Sequence, residues 1–237
     1  MKKALLALTL ALVVCAARPA TPTFRDEQLQ HPRVRAAYAR QWPALRQLLS
    51  QHHIEPGRLE VFIRAFKIGR RVEVWGRNQG EAGFQPLRTY RIAACSGALG
   101  PKRQEGDGQV PEGVYHINRF HPNSLYHLSL GLDYPNAADR ALGNPKPGGD
   151  IFLHGSNVSI GCLPLTDALI EELYVLLVEA RTAGQLDIPV HIFPFELNEE
   201  MLARYRQHRH YAFWRSLQPV YAEFEEGLKA GSLGDAY

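Results

Sequence analysis

Cysteine is scarce in this 237-residue chain, which has only three, and neither sign of charge dominates, because 27 Lys and Arg stand against 24 Asp and Glu. With three cysteines, the chain can close one disulfide at most. A formal charge of +3 provides no strongly basic surface, so we expect no nucleic-acid partner. The sequence also has no internal repeat and no low-complexity linker. These absences favour one well-packed domain with helical extensions.

Long apolar runs are missing except at the start of the chain, which begins MKKALLALTLALVVCAARPA. Two lysines precede an apolar run from Ala4 to Ala17, which is too short to span a bilayer comfortably. This layout is typical of a secretory signal, so we predict a signal peptide over residues 1–17, cleaved near Ala17. The mature protein is then exported to the periplasm and has no stable membrane span. Two alternatives keep it attached to a membrane: an uncleaved leader, or lipidation of Cys15.

The rest of the chain divides into three parts by pattern. Apolar residues at helical spacing predict a helical segment over residues 18–57, in which Pro43 starts a second helix or kinks the first. β-Branched and aromatic runs between turn residues predict a strand-rich region over 58–197, with a helix capped by Thr166. Amphipathic spacing predicts helices over 198–237. The predicted fold class is therefore mainly β with flanking helices, which is an α+β fold.

A histidine and a cysteine flank a glycine-bearing loop in the stretch HGSNVSIGC, between a predicted strand and a predicted helix. Three interpretations fit these residues: Cys162 is a nucleophile with His154 as its base, the two are metal ligands, or they are unrelated residues in a turn. In the first interpretation, Gly161 lets backbone N–H groups point at a developing oxyanion. Ser159 would hold the shape of the loop by hydrogen bonding.

Removal of the leader leaves Cys95 and Cys162 as the only thiols. In an oxidising compartment such a pair can form a disulfide, which would silence Cys162 as a nucleophile. We expect instead that Cys95 is a small core residue and that Cys162 is a free thiol.

The HGSNVSIGC stretch resembles the His-Gly … Ser-x-Gly-Cys signature of the L,D-transpeptidase catalytic domain, the YkuD-type fold of bacterial cell-wall enzymes. The stretch VPEGVYHI, residues 110–117, looks like that domain's Pro-x-Gly strand entry. Further stretches, VFIRAFK, YPNAADRALG and VHIFPF among them, resemble its YafK-like branch, in order over residues 60–196. The resemblance implies a β-sandwich or barrel-like core with an N-terminal helical segment and C-terminal helices.

The resemblance also implies roles for individual residues. Cys162 matches the family's nucleophile, and His154 matches its base, which takes the thiol proton and later protonates the leaving amine. Gly155 follows the histidine, so only its carbonyl could orient the imidazole ring, and Ser159 matches the signature serine. Two residues fall where the resemblance suggests a substrate wall, namely Tyr126 and Asn123. The resemblance implies no metal and no cofactor.

For function, the resemblance implies a peptidoglycan L,D-transpeptidase that acts on stem peptides through a cysteine thioester. One alternative is a murein L,D-endopeptidase that hydrolyses the same bond and releases wall-anchored protein, with a wall-linked lipoprotein as a further partner. A lesser alternative is a catalytically inactive wall-binding domain, which should have lost the histidine or the cysteine. A metal hydrolase that used His154 and Cys162 as ligands would need at least one more ligand.

Overall fold

The structure is a computed structural model that describes residues 21–142 and 144–234, with side chains described up to residue 228. The predicted leader over residues 1–17, including Cys15, lies outside the described residues. No helix in the described part of the chain is both long and apolar enough to cross a membrane.

Two helices precede the strands, α1 over Phe24–Gln28 and α2 over Pro32–Gln51. Of the two predictions for Pro43, the one that it starts a second helix is wrong, because α2 already begins at Pro32 and continues past Pro43. Pro32 can start α2 because proline is well tolerated in the first turn of a helix, where the missing N–H would have no intrahelical acceptor. The break between the helices therefore lies at residues 29–31.

Strands β1 to β8 form one mixed sheet of eight strands. In chain order they are β1 Leu59–Phe66, β2 Arg71–Asn78, β3 Gln85–Arg91, β4 Gly113–His121, β5 Ser129–Leu132, β6 Phe152–His154, β7 Leu163–Pro164 and β8 Pro189–Phe193. Their order across the sheet is β3-β2-β1-β8-β4-β5-β6-β7. Two neighbouring pairs are parallel, β1 with β8 and β6 with β7, and the others are antiparallel.

The remaining helices follow the strands they cover. They are α3 Ala137–Leu142, α4 Asp167–Thr182, α5 Glu199–Arg204 and α6 Tyr211–Gly234, with a 3-10 turn at Pro56–Arg58. Helix α4 packs between α2 and the sheet, and most of its residues are buried. Thr166 occupies the predicted N-cap position of α4, although its side chain makes no capping hydrogen bond.

Alternate residues of β1 pack against helices on opposite faces of the sheet. Val61 and Ile63 are fully buried in the main core, to which α2 and α4 also contribute. The ring of Phe62, on the opposite face, lies 4.5 Å from that of Phe224 in α6, measured between centroids. This alternation follows the two-residue period of a strand. Because helices cover both faces, the predicted fold class, mainly β with flanking helices, is confirmed.

Candidate active site

The parallel pairing of β6 and β7 brings the two ends of the HGSNVSIGC stretch together. His154 is the last residue of β6, and Cys162 immediately precedes β7. Leu153 pairs with Leu163, so Cys162 lies level with Phe152. Side chains alternate along a strand and neighbouring strands lie about 4.8 Å apart, so Cys162 and His154 project from the same face. Both side chains line the same cavity.

His154 is only 2% exposed and is held from two sides. Its Nδ1 lies within hydrogen-bonding distance of the Gly155 carbonyl oxygen, and the Tyr126 ring lies 4.7 Å from the imidazole between centroids. Because a carbonyl oxygen only accepts, Nδ1 carries the proton of the neutral ring and Nε2 keeps its lone pair. Burial lowers the pKa of His154 below the ordinary 6.5. At pH 7 the imidazole is therefore neutral and able to accept a proton at Nε2.

Cys162 is partly buried, and its thiol points at the main-chain carbonyl oxygen of Asp150, 3.7 Å from Sγ. Burial raises the pKa of Cys162 above the ordinary 9.0, and the Asp150 carboxylate adds to the rise. The thiol is therefore protonated at pH 7. No hydrogen bond joins Cys162 to His154 in the described structure. Because the pKa of His154 is lowered and that of Cys162 is raised, the two groups rest as a neutral imidazole and a neutral thiol at pH 7.

Two serines hold the loop that carries Cys162. Ser159 Oγ donates to the Cys162 carbonyl oxygen at 2.7 Å, and the Gly161 N–H donates to Ser96 Oγ at 2.7 Å. Gly161 has a φ of 118°, and a Cβ there would lie 3.0 Å from the Gln109 carbonyl oxygen, so this position needs glycine. Since the Gly161 N–H is already engaged, the Cys162 N–H is the better candidate for an oxyanion donor.

Sequence reasoning misses Ser96, which reaches the loop from the segment after β3. Its Oγ lies 3.3 Å from Ser159 Oγ in addition to its contact with Gly161. The small-residue stretch CSG belongs to the region of family resemblance, but nothing in that stretch indicates contact with a loop so far along the chain.

Cys162 and His154 line a cavity of about 630 Å³. Tyr126 forms part of its wall and is 43% exposed. Asn123, predicted to form the substrate wall with Tyr126, is exposed and is not among the described residues that line the cavity. The lining also includes three strongly exposed apolar side chains, Leu125, Val158 and Ile160.

Charged residues that the motif does not contain also line this cavity. Arg119, near the end of β4, forms an ion pair with Asp150, just before β6, at 3.0 Å. Their positions in the sequence give no signal of this contact, because it depends on how β4, β5 and β6 pair.

Cys95 is exposed, so the prediction that it is a small core residue is wrong. The chain leaves the sheet after Arg91, the last residue of β3, and Cys95 lies in the surface segment that follows. Both Cys95 and Cys162 are free thiols.

The interpretation of His154 and Cys162 as metal ligands requires a third ligand. Over residues 21–142 and 144–234, no three or more His, Cys, Asp or Glu side chains are grouped so that they could hold a metal ion.

Residues 67–192 match the family model described as YkuD, the L,D-transpeptidase catalytic domain. A curated relative is YafK from Escherichia coli (strain K12), which carries the name L,D-transpeptidase provisionally. It is 36% identical over 171 residues, which cover 71% of this chain and 68% of YafK. YafK from Escherichia coli O157:H7 gives the same figures.

Two solved structures are similar over part of the chain. One is Pgp2, the helical cell shape determining protein from Campylobacter jejuni, with 22% identity, a TM-score of 0.47 and coverage of 58% of this chain and 49% of Pgp2. The other is Bd1075 from Bdellovibrio bacteriovorus, with 26% identity, a TM-score of 0.41 and coverage of 57% of this chain and 48% of Bd1075. The chain thus spans about half the length of these two structures. The family-model match over more than half of the chain, together with the 36% identity to YafK, shows that this protein belongs to the YkuD family of L,D-transpeptidase catalytic domains.

Proposed function

We propose that this protein is a cysteine-dependent L,D-transpeptidase that acts on peptidoglycan stem peptides in cell-wall remodelling. Family membership supports the reaction class. One observation supports the residues: Cys162 and His154 line one cavity from the ends of two neighbouring parallel strands.

The first step forms a thioester on Cys162. Sγ attacks the carbonyl carbon between the L-centre of a diamino acid and the following D-residue, while Nε2 of His154 takes the thiol proton. The carbonyl electron pair moves onto oxygen, where the Cys162 N–H donates to the oxyanion. When the intermediate collapses, the C–N bond breaks and His154 gives its proton to the leaving amine.

The second step frees the enzyme. An acceptor amine loses a proton to Nε2 of His154 and attacks the thioester carbonyl, and the departing sulfur recovers a proton from His154. The pKa of His154 is lowered and that of Cys162 is raised, both by burial, so the neutral pair needed for each turnover is the resting form at pH 7. Water in place of the amine would give the L,D-endopeptidase reaction.

The proposed cellular setting follows from the same reaction. The segment over residues 1–17 would direct export to the periplasm, where peptidoglycan lies, and the unit over residues 58–197 would carry the catalysis. If water resolves the thioester, a wall-linked lipoprotein becomes a possible second substrate alongside stem peptides.

Mass spectrometry of the mature protein incubated with disaccharide tetrapeptides tests this function. Wild type and the matched control Cys95→Ala should give cross-linked dimers or exchanged terminal D-residues, together with a protein mass increased by the acyl group. Cys162→Ala should give none of these products. Tripeptide products without dimers would show that the enzyme hydrolyses the bond and does not transfer the acyl group to an amine. Identical spectra for wild type and Cys162→Ala would overturn the proposal in favour of a wall-binding domain.

A further inference from the structure

The cavity that holds Cys162 carries one charge of each sign on the same wall. The Arg119 guanidinium lies 3.0 Å from the Asp150 carboxylate, and the two side chains are 50% and 78% exposed. The guanidinium also lies over the Phe152 ring, 4.9 Å from its centroid. All three side chains line the cavity.

The register of the sheet places Arg119 in line with Cys162, across β5 and β6. Arg119 of β4 lies opposite Gly131 of β5, and Gly131 lies opposite Phe152 of β6. Cys162 is level with Phe152. Arg119, Gly131, Phe152 and Cys162 thus form one row across the sheet, and this row ends at the thiol. The backbone of Phe152, whose ring lies under the guanidinium, is about one strand spacing, roughly 5 Å, from that of Cys162.

Gly131 leaves space above β5 for the Arg119 side chain. A Cβ at this position would lie 3.1 Å from Arg119 Cβ and 3.2 Å from Phe152 Cε1, which is tighter than ordinary contact. Because glycine has no side chain, the Arg119 side chain can extend across β5 towards β6. The guanidinium thus reaches the ring of Phe152, which is the neighbour of Cys162 across the sheet.

The Arg119–Asp150 pair contributes little to folding, since exposed ion pairs are weak in water. Asp150 also has a φ of 52°, in the left-handed region that non-glycine residues rarely adopt. Backbone strain of this kind is concentrated at functional sites. An exposed pair on a strained backbone can exchange its internal partner for a ligand that satisfies both charges.

We propose that Arg119 and Asp150 form a subsite for a zwitterionic amino-acid end, namely the free distal α-amino and α-carboxylate groups of the diamino acid in the donor stem peptide. The Arg119 fork binds the carboxylate and Asp150 binds the ammonium group. This specificity rests on the proposed function, because it places the L-centre carbonyl of the same diamino acid at Cys162.

The charge near the thiol favours such a ligand. Burial, and in addition the Asp150 carboxylate, raises the pKa of Cys162. A zwitterionic ligand brings an ammonium group together with its carboxylate and so adds no net negative charge beside the thiol, whereas a ligand with a carboxylate alone would raise the pKa of Cys162 further.

Donor specificity tests the subsite. Two tetrapeptide donors are compared by kcat/KM, one with the distal carboxylate free and one with it converted to a carboxamide. Wild type should prefer the free acid by about tenfold, because a charge-assisted hydrogen bond is lost with the amide. Arg119→Ala should lose this preference, and Arg119→Lys should restore part of it. The matched control is Arg204→Ala, which removes an exposed ion pair with Glu200 on α5.

A second comparison addresses Asp150 in the same way. Asp150→Asn should lose the preference of wild type for a donor with a free distal amine over its N-acetylated form. Equal preferences in wild type, Arg119→Ala and Asp150→Asn would overturn the subsite while leaving the proposed function intact.

Failure of the proposed function gives a different result, because no donor would then be turned over. Calorimetric binding of the two peptides to Cys162→Ala still decides the subsite in that case. A Kd ratio of about ten between acid and carboxamide, abolished by adding Arg119→Ala, supports it, and a ratio of one excludes it.

Discussion

At the scale of single residues, burial shifts the pKa values of the two proposed catalytic groups in opposite directions. It lowers the pKa of His154 and raises the pKa of Cys162. Both shifts widen the pH range in which imidazole and thiol are neutral together. In the proposed mechanism, the thiol is consequently a poor nucleophile until a substrate carbonyl is in place and His154 removes the proton during attack.

Alkylation of Cys162 by iodoacetamide should therefore follow an alkaline profile. In Cys95→Ser protein made without residues 1–17, the rate should rise about tenfold per pH unit from pH 7 to pH 9, because only the thiolate reacts and its fraction grows in that proportion below the pKa. The midpoint should lie above 9.0, the ordinary value for the thiol. The rate is measured by intact mass at successive times.

A plateau already present below pH 7 would contradict this account. It would show a resting thiolate–imidazolium pair, which requires a raised pKa for His154 rather than the lowered one described above. Cys162→Ser protein that retains Cys95 serves as the control that alkylation is assigned to the correct thiol.

At the scale of elements, the junction from β6 into α4 fixes the histidine end of the site. The Gly155 N–H donates to the Tyr126 carbonyl oxygen at 3.0 Å, and the Ser156 N–H donates to Asp167 Oδ1 at 2.8 Å. The first turn of α4 is thereby tied to the residues that follow His154. The Tyr126 carbonyl contact also fixes the segment whose ring covers the imidazole.

Gly155→Ala should destabilise the protein by about 1–3 kcal/mol, because overpacking a closed site has a cost of that order. The added Cβ would lie 2.5 Å from Asp167 Oδ1 and 2.7 Å from the Tyr126 carbonyl oxygen. Gly149→Ala is the matched control, since no atom lies within 4 Å of a Cβ there. Urea unfolding measures both variants, and equal free energies of unfolding would rule out the proposed crowding.

Elements with a strong local pattern could be predicted from the sequence. The β1–β2 hairpin and helix α4 follow from alternation, turn residues and helical spacing. Strand β7 could not be predicted, because it is two residues long and includes Pro164, and only its pairing with β6 makes it a strand. Thr166 marks the start of α4 but has a φ of 71°, which turns its side chain away from capping.

The same is true of the candidate site, where some residues could be predicted from a local motif and others only from the folded sheet. His154, Ser159, Gly161 and Cys162 lie in one stretch and could be singled out by motif. Ser96 and Arg119 come from other elements, and Asp150 lies just before β6; the contacts of all three exist only once the sheet has formed.

At the scale of the whole molecule, the buried carboxylate of Glu112 joins the C-terminal helix α6 to the segment between Ser96 and β4. Trp214 of α6 is fully buried and donates from Nε1 to Glu112 Oε2 at 2.8 Å. Glu112 also lies 3.0 Å from Lys67 Nζ and accepts from the Gly100 N–H at 2.8 Å. One carboxylate thus connects α6, the end of β1 and the segment that leads from Ser96 to β4.

Glu112→Gln should destabilise the whole fold by about 3–5 kcal/mol at pH 7, because it leaves the Lys67 ammonium buried without a counter-charge. Burial already lowers the pKa of Lys67 below 10.5, and loss of Glu112 should lower it further. The unfolded chain then binds more protons than the folded one between that lowered pKa and 10.5, so the stability of the variant should rise with pH in this window. Urea unfolding at pH 7 and at pH 9.5 should therefore show that the difference in free energy of unfolding between the variant and wild type is smaller at the higher pH.

Glu105→Gln, at an exposed position of the same segment, should stay within about 0.5 kcal/mol of wild type at both pH values. A Glu112→Gln variant as stable as this control at pH 7 would show that the buried pair does not hold α6 to the rest of the molecule.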